Sequence, residues 1–385
     1  MTQFNVDMEV FDTLETLPSD CEGLFAAGAE RNFHLSRAWF RTLLAAAMAP
    51  GKHPLFLLFR VRGRAVMLLP LQHDGTQLEG LSSVYTCLYQ PLASPDVTAA
   101  ELQAVGHALG RFCRSWAALR LDALDHDWLG LPPLLRGVRK AGLVALTYNH
   151  FGNWYEPVSD RSWDDYVAAR PGALRQTIRR RLRSAERDPS IAVDVIEGLA
   201  GLEPGIAAYD EVYSRSWKEP EPFPAFNAAL LRAASAEHVL RLGVLSKHGR
   251  PVAAQYWIVT SGVASVLKLA HDEEAKGISP GTVLTAMMVR RLLEKEQLTE
   301  LDFGRGDDPY KALWVSQHRQ RIGVVIASPW RPTGITLIAR HLMGRTRNLL
   351  SASVNVPYRL TPYRCDLPVD MQYHFNLGRA QCRVL

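Results

Sequence analysis

Apolar and polar positions alternate along this chain in the two periods that mark short strands and amphipathic helices, and they predict a mixed α/β protein. In the first 160 residues, segments 5–9, 55–61 and 65–71 read as strands, the last two joined by a turn at Arg62-Gly63-Arg64. A helix spans 36–48 with Ser36 as its cap, and a longer one covers 98–116. A strand at 118–123, a helix at 129–141 and strands at 143–148 and 154–158 complete this layer. No phosphate loop or catalytic cluster stands out in it, and Asp125-His126-Asp127 reads as a polar loop.

The pattern changes over 162–188. Leu174, Ile178, Leu182 and Ala185 recur at helical spacing, while Arg175, Arg179, Arg180, Arg183 and Arg187 fall mostly elsewhere on the wheel. Pro189 ends the run. Such a stripe is either a solvated helix face or an electrostatic lip for an anionic ligand, with Arg179 and Arg180 as the contacts. That ligand is coenzyme phosphate, a phosphorylated sugar or the backbone of a transfer RNA.

From residue 191 the order becomes specific. A strand (191–196) and two helices (204–217, 224–236) lead into three consecutive strands at 238–246, 251–260 and 263–270. Turns at His248-Gly249-Arg250 and Ser261-Gly262 make these three antiparallel hairpins. A polar loop and a helix over 280–295 follow. Next comes a short strand that breaks at Gly304 and Gly306 into Asp307, Asp308, Pro309, Tyr310 and Lys311, and 319–327 is the last strand. The helix start is Ser279 as cap, Pro280 in the first position and Gly281 next. The N–H groups of Gly281, Thr282 and Val283 lack partners within the helix, and the helix dipole adds positive potential. Taken alone this is a capped structural helix; beside a reactive turn it becomes an anion site.

Composition narrows the choice. With 385 residues, 47% of them hydrophobic and 22% charged, the chain is long enough for two globular domains. The net charge of +5 resides in the last 55 residues, which hold eight Arg and two Asp, so a chain-wide affinity for DNA is not indicated. Ile335, Leu337, Ile338, Leu342 and Met343 give that tail a basic amphipathic run, suited to packing or to a membrane surface. Neither a basic-then-apolar leader nor a membrane-length apolar stretch is present, and the five scattered cysteines follow no metal or disulfide spacing. The expectation is a cytoplasmic protein with reduced thiols and no metal.

The order strand, two helices, three-strand meander, helix, strand and polar turn, with SPGT at the helix start and LDFGRGDDPYK after the next strand, resembles the GNAT-fold acyltransferases. It is most similar to their CelD/BcsL-type branch, a bacterial group linked to cellulose and exopolysaccharide production. The likeness is best over 163–328, and the first half fits a degenerate second copy. It implies an α+β fold of tandem GNAT-like domains, each a mixed, mostly antiparallel sheet flanked by helices. The domains would be 1–160, a catalytic unit at 161–330 and a basic extension at 331–385. The related Fem peptidyltransferases use aminoacyl-tRNA in place of acyl-CoA.

The resemblance implies acyl-CoA as co-substrate and a sugar or amine acceptor. Its phosphates would lie on Ser279, Gly281, Thr282 and Val283, and its pantetheine arm along the strand carrying Leu267 and Leu269. Tyr310 would protonate the leaving thiolate, Asp307 or Asp308 would act as base or hold the acceptor, and Lys311 would neutralise developing charge. Asp302 would share that work or orient the loop. His271 and Asp272 would reach the acceptor pocket. Transfer RNA enters only in an aminoacyl version, DNA in none, and a peripheral contact with a membrane or with polysaccharide-synthesis machinery is compatible with the tail. A non-catalytic protein that keeps the fold is the third reading.

Overall fold

The computed structural model describes residues 4–352, with side chains through His341 and at Met343. Thirteen strands form one sheet. The first half supplies β1 (Val6–Phe11), β2 (His53–Val61), β3 (Arg64–His73), β4 (Leu78–Gly80), β5 (Leu92–Ala93), β6 (Ala118–Asp125) and β7 (Val144–Pro157). The second supplies β8 (Ile191–Ile196), β9 (Leu240–Lys247), β10 (Arg250–Thr260), β11 (Val263–His271), β12 (Glu300–Arg305) and β13 (Gln317–Ala327). Their spatial order is β1-β2-β3-β4-β6-β13-β7-β12-β11-β10-β9-β8, with β5 beside β3. Most neighbours are antiparallel; β4 with β6 and β11 with β12 are parallel.

The helices are α1 (Glu22–Arg31), α2 (Arg37–Ala46), α3 (Ala99–Cys113), α4 (Leu131–Lys140), α5 (Trp163–Ala168), α6 (Gly172–Arg187), α7 (Leu202–Ser214), α8 (Phe226–Ala236) and α9 (Pro280–Lys295). A single turn, α10 (Lys311–Trp314), and α11 (Pro332–Ala352) follow. Because helices cover both faces, central strands are buried throughout: Phe56 to Phe59 in β2 and Val252 to Ile258 in β10 show no alternation. One apolar cluster joins the first half to α7, α8 and one face of β9–β11. A second fills the space under α5, α6 and α9 on the other face. The mixed α/β architecture thus agrees with the sequence pattern.

β13 does not close its own half. It lies between β6 and β7, pairing Ile326 with Leu119 on one side and with Ala145 on the other. β7 in turn pairs with β12, Leu301 opposite Glu156. The strands expected at 143–148 and 154–158 are one strand for this reason, since β13 supplies ladder partners for the polar stretch between them. The arginine-rich run forms the continuous α6, and Pro171, which cannot continue α5, separates the two helices. The helix α1 was not foreseen, because Gly23, Ala26, Ala27, Gly28 and Ala29 blur its periodicity. One compact unit ends at Ala339 and a second begins at Arg340. In the amphipathic run, the Leu342 side chain and everything past 352 lie outside the described residues.

Candidate active site

β11 and β12 start as a parallel pair and then part. Their ladder holds only Val263 with Glu300, Ala264 with Leu301 and Ser265 with Asp302. On its other edge β11 bulges: Tyr256 pairs with Lys268 and Trp257 with Val266, leaving Leu267 as the extra residue. The half-buried Leu267 and Leu269 therefore lie on a stretch of β11 that has no strand beyond it on the β12 side. The parting is fixed at Gly304, whose φ of +68° suits glycine and whose added Cβ would stand 2.8 Å from the Val266 carbonyl.

The tip of α9 sits at this opening. Ser279 occupies the cap position but in a left-handed conformation (φ 55°), and its side chain makes no capping hydrogen bond, contrary to the expected cap. Gly281 and Thr282 thus keep first-turn N–H donors that the helix itself cannot satisfy, while Val283 N donates to Ser279 O at 3.0 Å. Gly281 is buried against His271: a Cβ there would meet the ring at 2.9 Å. His271 packs in turn on Trp217 in a tilted pair, 4.4 Å between centroids, and burial lowers its pKa, keeping the ring neutral at pH 7.

The loop before the tip is held by a residue the sequence reading passed over. Arg181 donates from Nη1 to Gly277 O at 2.9 Å, and its buried Nε has no partner. An unpaired guanidinium nitrogen beside uncapped helix amides fits an anionic group such as pyrophosphate. Arg179 and Arg180 are elsewhere. α6 buries Leu174, Ile178, Leu182 and Ala185 in the cluster shared with α9. Its opposite face lines an open groove of about 740 Å³ with Arg179, Arg180, Arg183 and Arg187, none of them ion-paired.

The glycine turn separates residues that the sequence placed together. Asp302 is buried, its Oδ1 accepting from Asn153 Nδ2 and Gly304 N (both 2.7 Å) and its Oδ2 from Arg319 at 2.9 Å. Lys311 is buried as well, and Nζ donates to Arg305 O at 2.6 Å and Gly306 O at 3.2 Å and pairs with Asp308 at 3.1 Å. Two carbonyls and one carboxylate hold its amine, so it locks the turn rather than reaching a reacting oxygen. Asp307 turns the other way and meets His318 Nε2 at 2.7 Å over Gly152. Tyr310 is 43% exposed; desolvation and then the charge of Asp308 raise its pKa, so the phenol stays protonated at neutral pH. Asp272 is also occupied: its 3%-exposed side chain takes Arg215 at 2.8 Å and Arg250 at 3.3 Å and caps the turn before α9 through Glu274 N.

A second polar cluster, invisible in the sequence, closes the site from the first half. Tyr85 donates to Glu221 at 2.8 Å, and Lys268 Nζ to the same carboxylate at 2.6 Å. Burial would raise Glu221, but Lys268 and three hydrogen bonds outweigh it and leave the pKa below the ordinary value. Lys218, half-buried nearby, is lowered to about 8 by burial and then by Lys268. Cys87 lies at the parting itself, its thiol raised by burial. Among the described residues no group of three His, Cys, Asp or Glu could hold a metal, and no helix is long and apolar enough to cross a membrane.

Residues 172–312 match the model of the acetyltransferase (GNAT) domain family. The matched segment contains the parted strands, the helix tip and the glycine turn. Solved structures extend the fold likeness over most of the chain. FemX is similar at a TM-score of 0.55 and 10% identity, over 83% of this chain and 96% of that one. The C-terminal domain of a putative lysylphosphatidylglycerol synthetase from Agrobacterium fabrum gives 0.51 and 15%, over 88% and 99%. A conserved protein of unknown function from Bacteroides thetaiotaomicron gives 0.52 and 12%, over 84% and 100%. At these identities the likeness concerns fold alone. No curated protein matches the chain significantly.

Proposed function

We propose that the protein is an acyl-CoA-dependent N- or O-acyltransferase, most simply an acetyltransferase, of the CelD/BcsL type. Its acceptor is a sugar or an amine in bacterial envelope or exopolysaccharide metabolism. The observation that carries this reading is the divergence of β11 and β12 after Ser265 and Asp302, directly in front of an uncapped helix tip. The pyrophosphate takes the amides of Gly281 and Thr282 together with Arg181, and the pantetheine arm follows β11 past Leu267 and Leu269. The acceptor attacks the thioester carbon, the C–S bond breaks and Tyr310, protonated at neutral pH, supplies a proton to the thiolate. Asp308 holds the acceptor or takes its proton, with Asp307 and His318 on the far side of the turn. Asp302 and Lys311 position this turn without touching substrate.

Isothermal titration with coenzyme A tests the reading. Micromolar binding that weakens at least tenfold in Gly281→Trp supports it; no detectable binding overturns it. One observation favours a second donor. The unpaired arginines on the outer face of α6 form a polyanion surface, and the fold is shared with FemX, so aminoacyl transfer from charged tRNA is the alternative.

A further inference from the structure

Three lysines surround the opening between β11 and β12, and they are not equivalent. Lys268 is tied to Glu221 at 2.6 Å and Lys311 to Asp308 at 3.1 Å. Lys218 has neither a hydrogen bond nor an ion pair from its amine; its nearest partner is the Trp217 ring, 5.7 Å from Nζ to centroid. The carboxylates within electrostatic reach, Glu221 and Asp308, are those already held by the other two lysines, whose charges also act on Lys218.

The loop that carries Lys218 is anchored over the opening. Trp217 packs on His271, and His271 packs on Gly281 at the helix tip. Lys218 itself senses Lys268 from β11 on one side and Asp308 and Lys311 from the glycine turn on the other. Its amine is therefore within electrostatic range of both sides of the opening, on the residue next to the tryptophan that packs on His271 beside the helix tip. Burial and the neighbouring cations favour the neutral amine there, and only the neutral amine is a nucleophile.

We propose that Lys218 is a self-acylation site, at which acyl-CoA bound in the opening transfers its acyl group to Nζ of the same chain. The inference rests on the acyl-CoA reading. The amine lone pair attacks the thioester carbonyl carbon, a C–N bond forms, and the C–S bond breaks with its electron pair going to sulfur. The proton lost by the amine ends on the thiolate, so the products are an uncharged amide and free coenzyme A. Lys268 and Lys311 are spared because carboxylates hold their amines.

The test is site-resolved mass spectrometry of the full-length protein incubated with acetyl-CoA, with calorimetry on the same samples. Lys218 is expected to be acetylated at least tenfold faster than any other lysine, saturably in acetyl-CoA, and roughly eightfold faster at pH 8.5 than at pH 7. Gly281→Trp should abolish the labelling, whereas brief treatment with acetic anhydride at pH 7 should still mark Lys218 in that variant. Binding of acetyl-CoA without labelling of Lys218, or labelling that is non-saturable and unchanged in Gly281→Trp, overturns the inference and leaves the acyl-CoA reading standing. Failure of acetyl-CoA to bind overturns both.

Discussion

The Asp302 carboxylate and the Arg319 guanidinium, 2.9 Å apart, tie the root of the glycine turn to the strand that crosses into the first half of the sheet. Arg319 also grips Glu300 at 2.7 Å and Asn153 at 2.5 Å, so one cation joins β12, β7 and β13. Asp302→Ala would remove one hydrogen bond each from Arg319, the Asn153 amide and Gly304 N, while Glu300 keeps the cation paired. A loss of roughly 1–3 kcal/mol is expected in urea unfolding, the scale for buried donors left without an acceptor.

Gly304 fixes where the two strands part. Gly304→Ala places a Cβ against the Val266 carbonyl and forces a left-handed backbone on an L-residue. Unfolding measurements should show a loss of about 1–3 kcal/mol, with weaker coenzyme A binding from a narrowed opening.

Tyr310 bears on chemistry alone. Its ring is only partly covered and its hydroxyl makes no hydrogen bond, so Tyr310→Phe should leave stability and coenzyme affinity unchanged. Once an acceptor is in hand, kcat should fall about a hundredfold, the usual scale for losing a general acid.

Lys218 makes stability depend on pH with a definite sign. Its folded pKa, about 8, is below the ordinary 10.5, so the fold disfavours its protonated form. Below pH 8 both states are protonated and the full penalty applies. Between pH 8 and 10.5 the unfolded chain holds the proton that the folded chain has released, and the penalty fades. Lys218→Met should therefore be more stable than the parent at pH 7, by about 1–2 kcal/mol after allowing for solvent at this half-buried group. Thermal melts should show that advantage shrinking as pH rises through this window.

The arginine face of α6 separates the two donors. Arg179→Glu with Arg180→Glu should leave coenzyme A affinity within twofold, because that face is opposite the one packed toward α9. Filter retention of tRNA at low salt, if present in the parent and lost in the double variant, would favour aminoacyl transfer.

Much of the second half was legible. The meander, the helix at 280–295 and the strand into Gly304 all follow from local periodicity and turn chemistry, which long-range contacts leave intact. The site was legible as a location more than as a set of roles. Asp302, Asp307, Asp308 and Lys311 sit in one short stretch, yet only Asp308 and Lys311 pair with each other, while Asp302 and Asp307 turn to separate partners. Two of those partners, Asn153 and His318, come from β7 and β13, and no linear pattern announces them. Tyr85, Lys218, Glu221 and Lys268 are hidden for the same reason, being brought together from separate loops and one strand. Ser279 misled because its residue type suits a cap, while the tight turn at Lys276 forces a backbone that turns the hydroxyl away.

The intercalation of β13 carries a consequence for biosynthesis. The slot between β6 and β7 stays vacant until a segment made about 160 residues after β7 arrives to fill it. While translation is under way the front half exposes two unzipped edges, so expressing residues 1–160 by themselves should yield insoluble material that a supplied 310–330 peptide rescues.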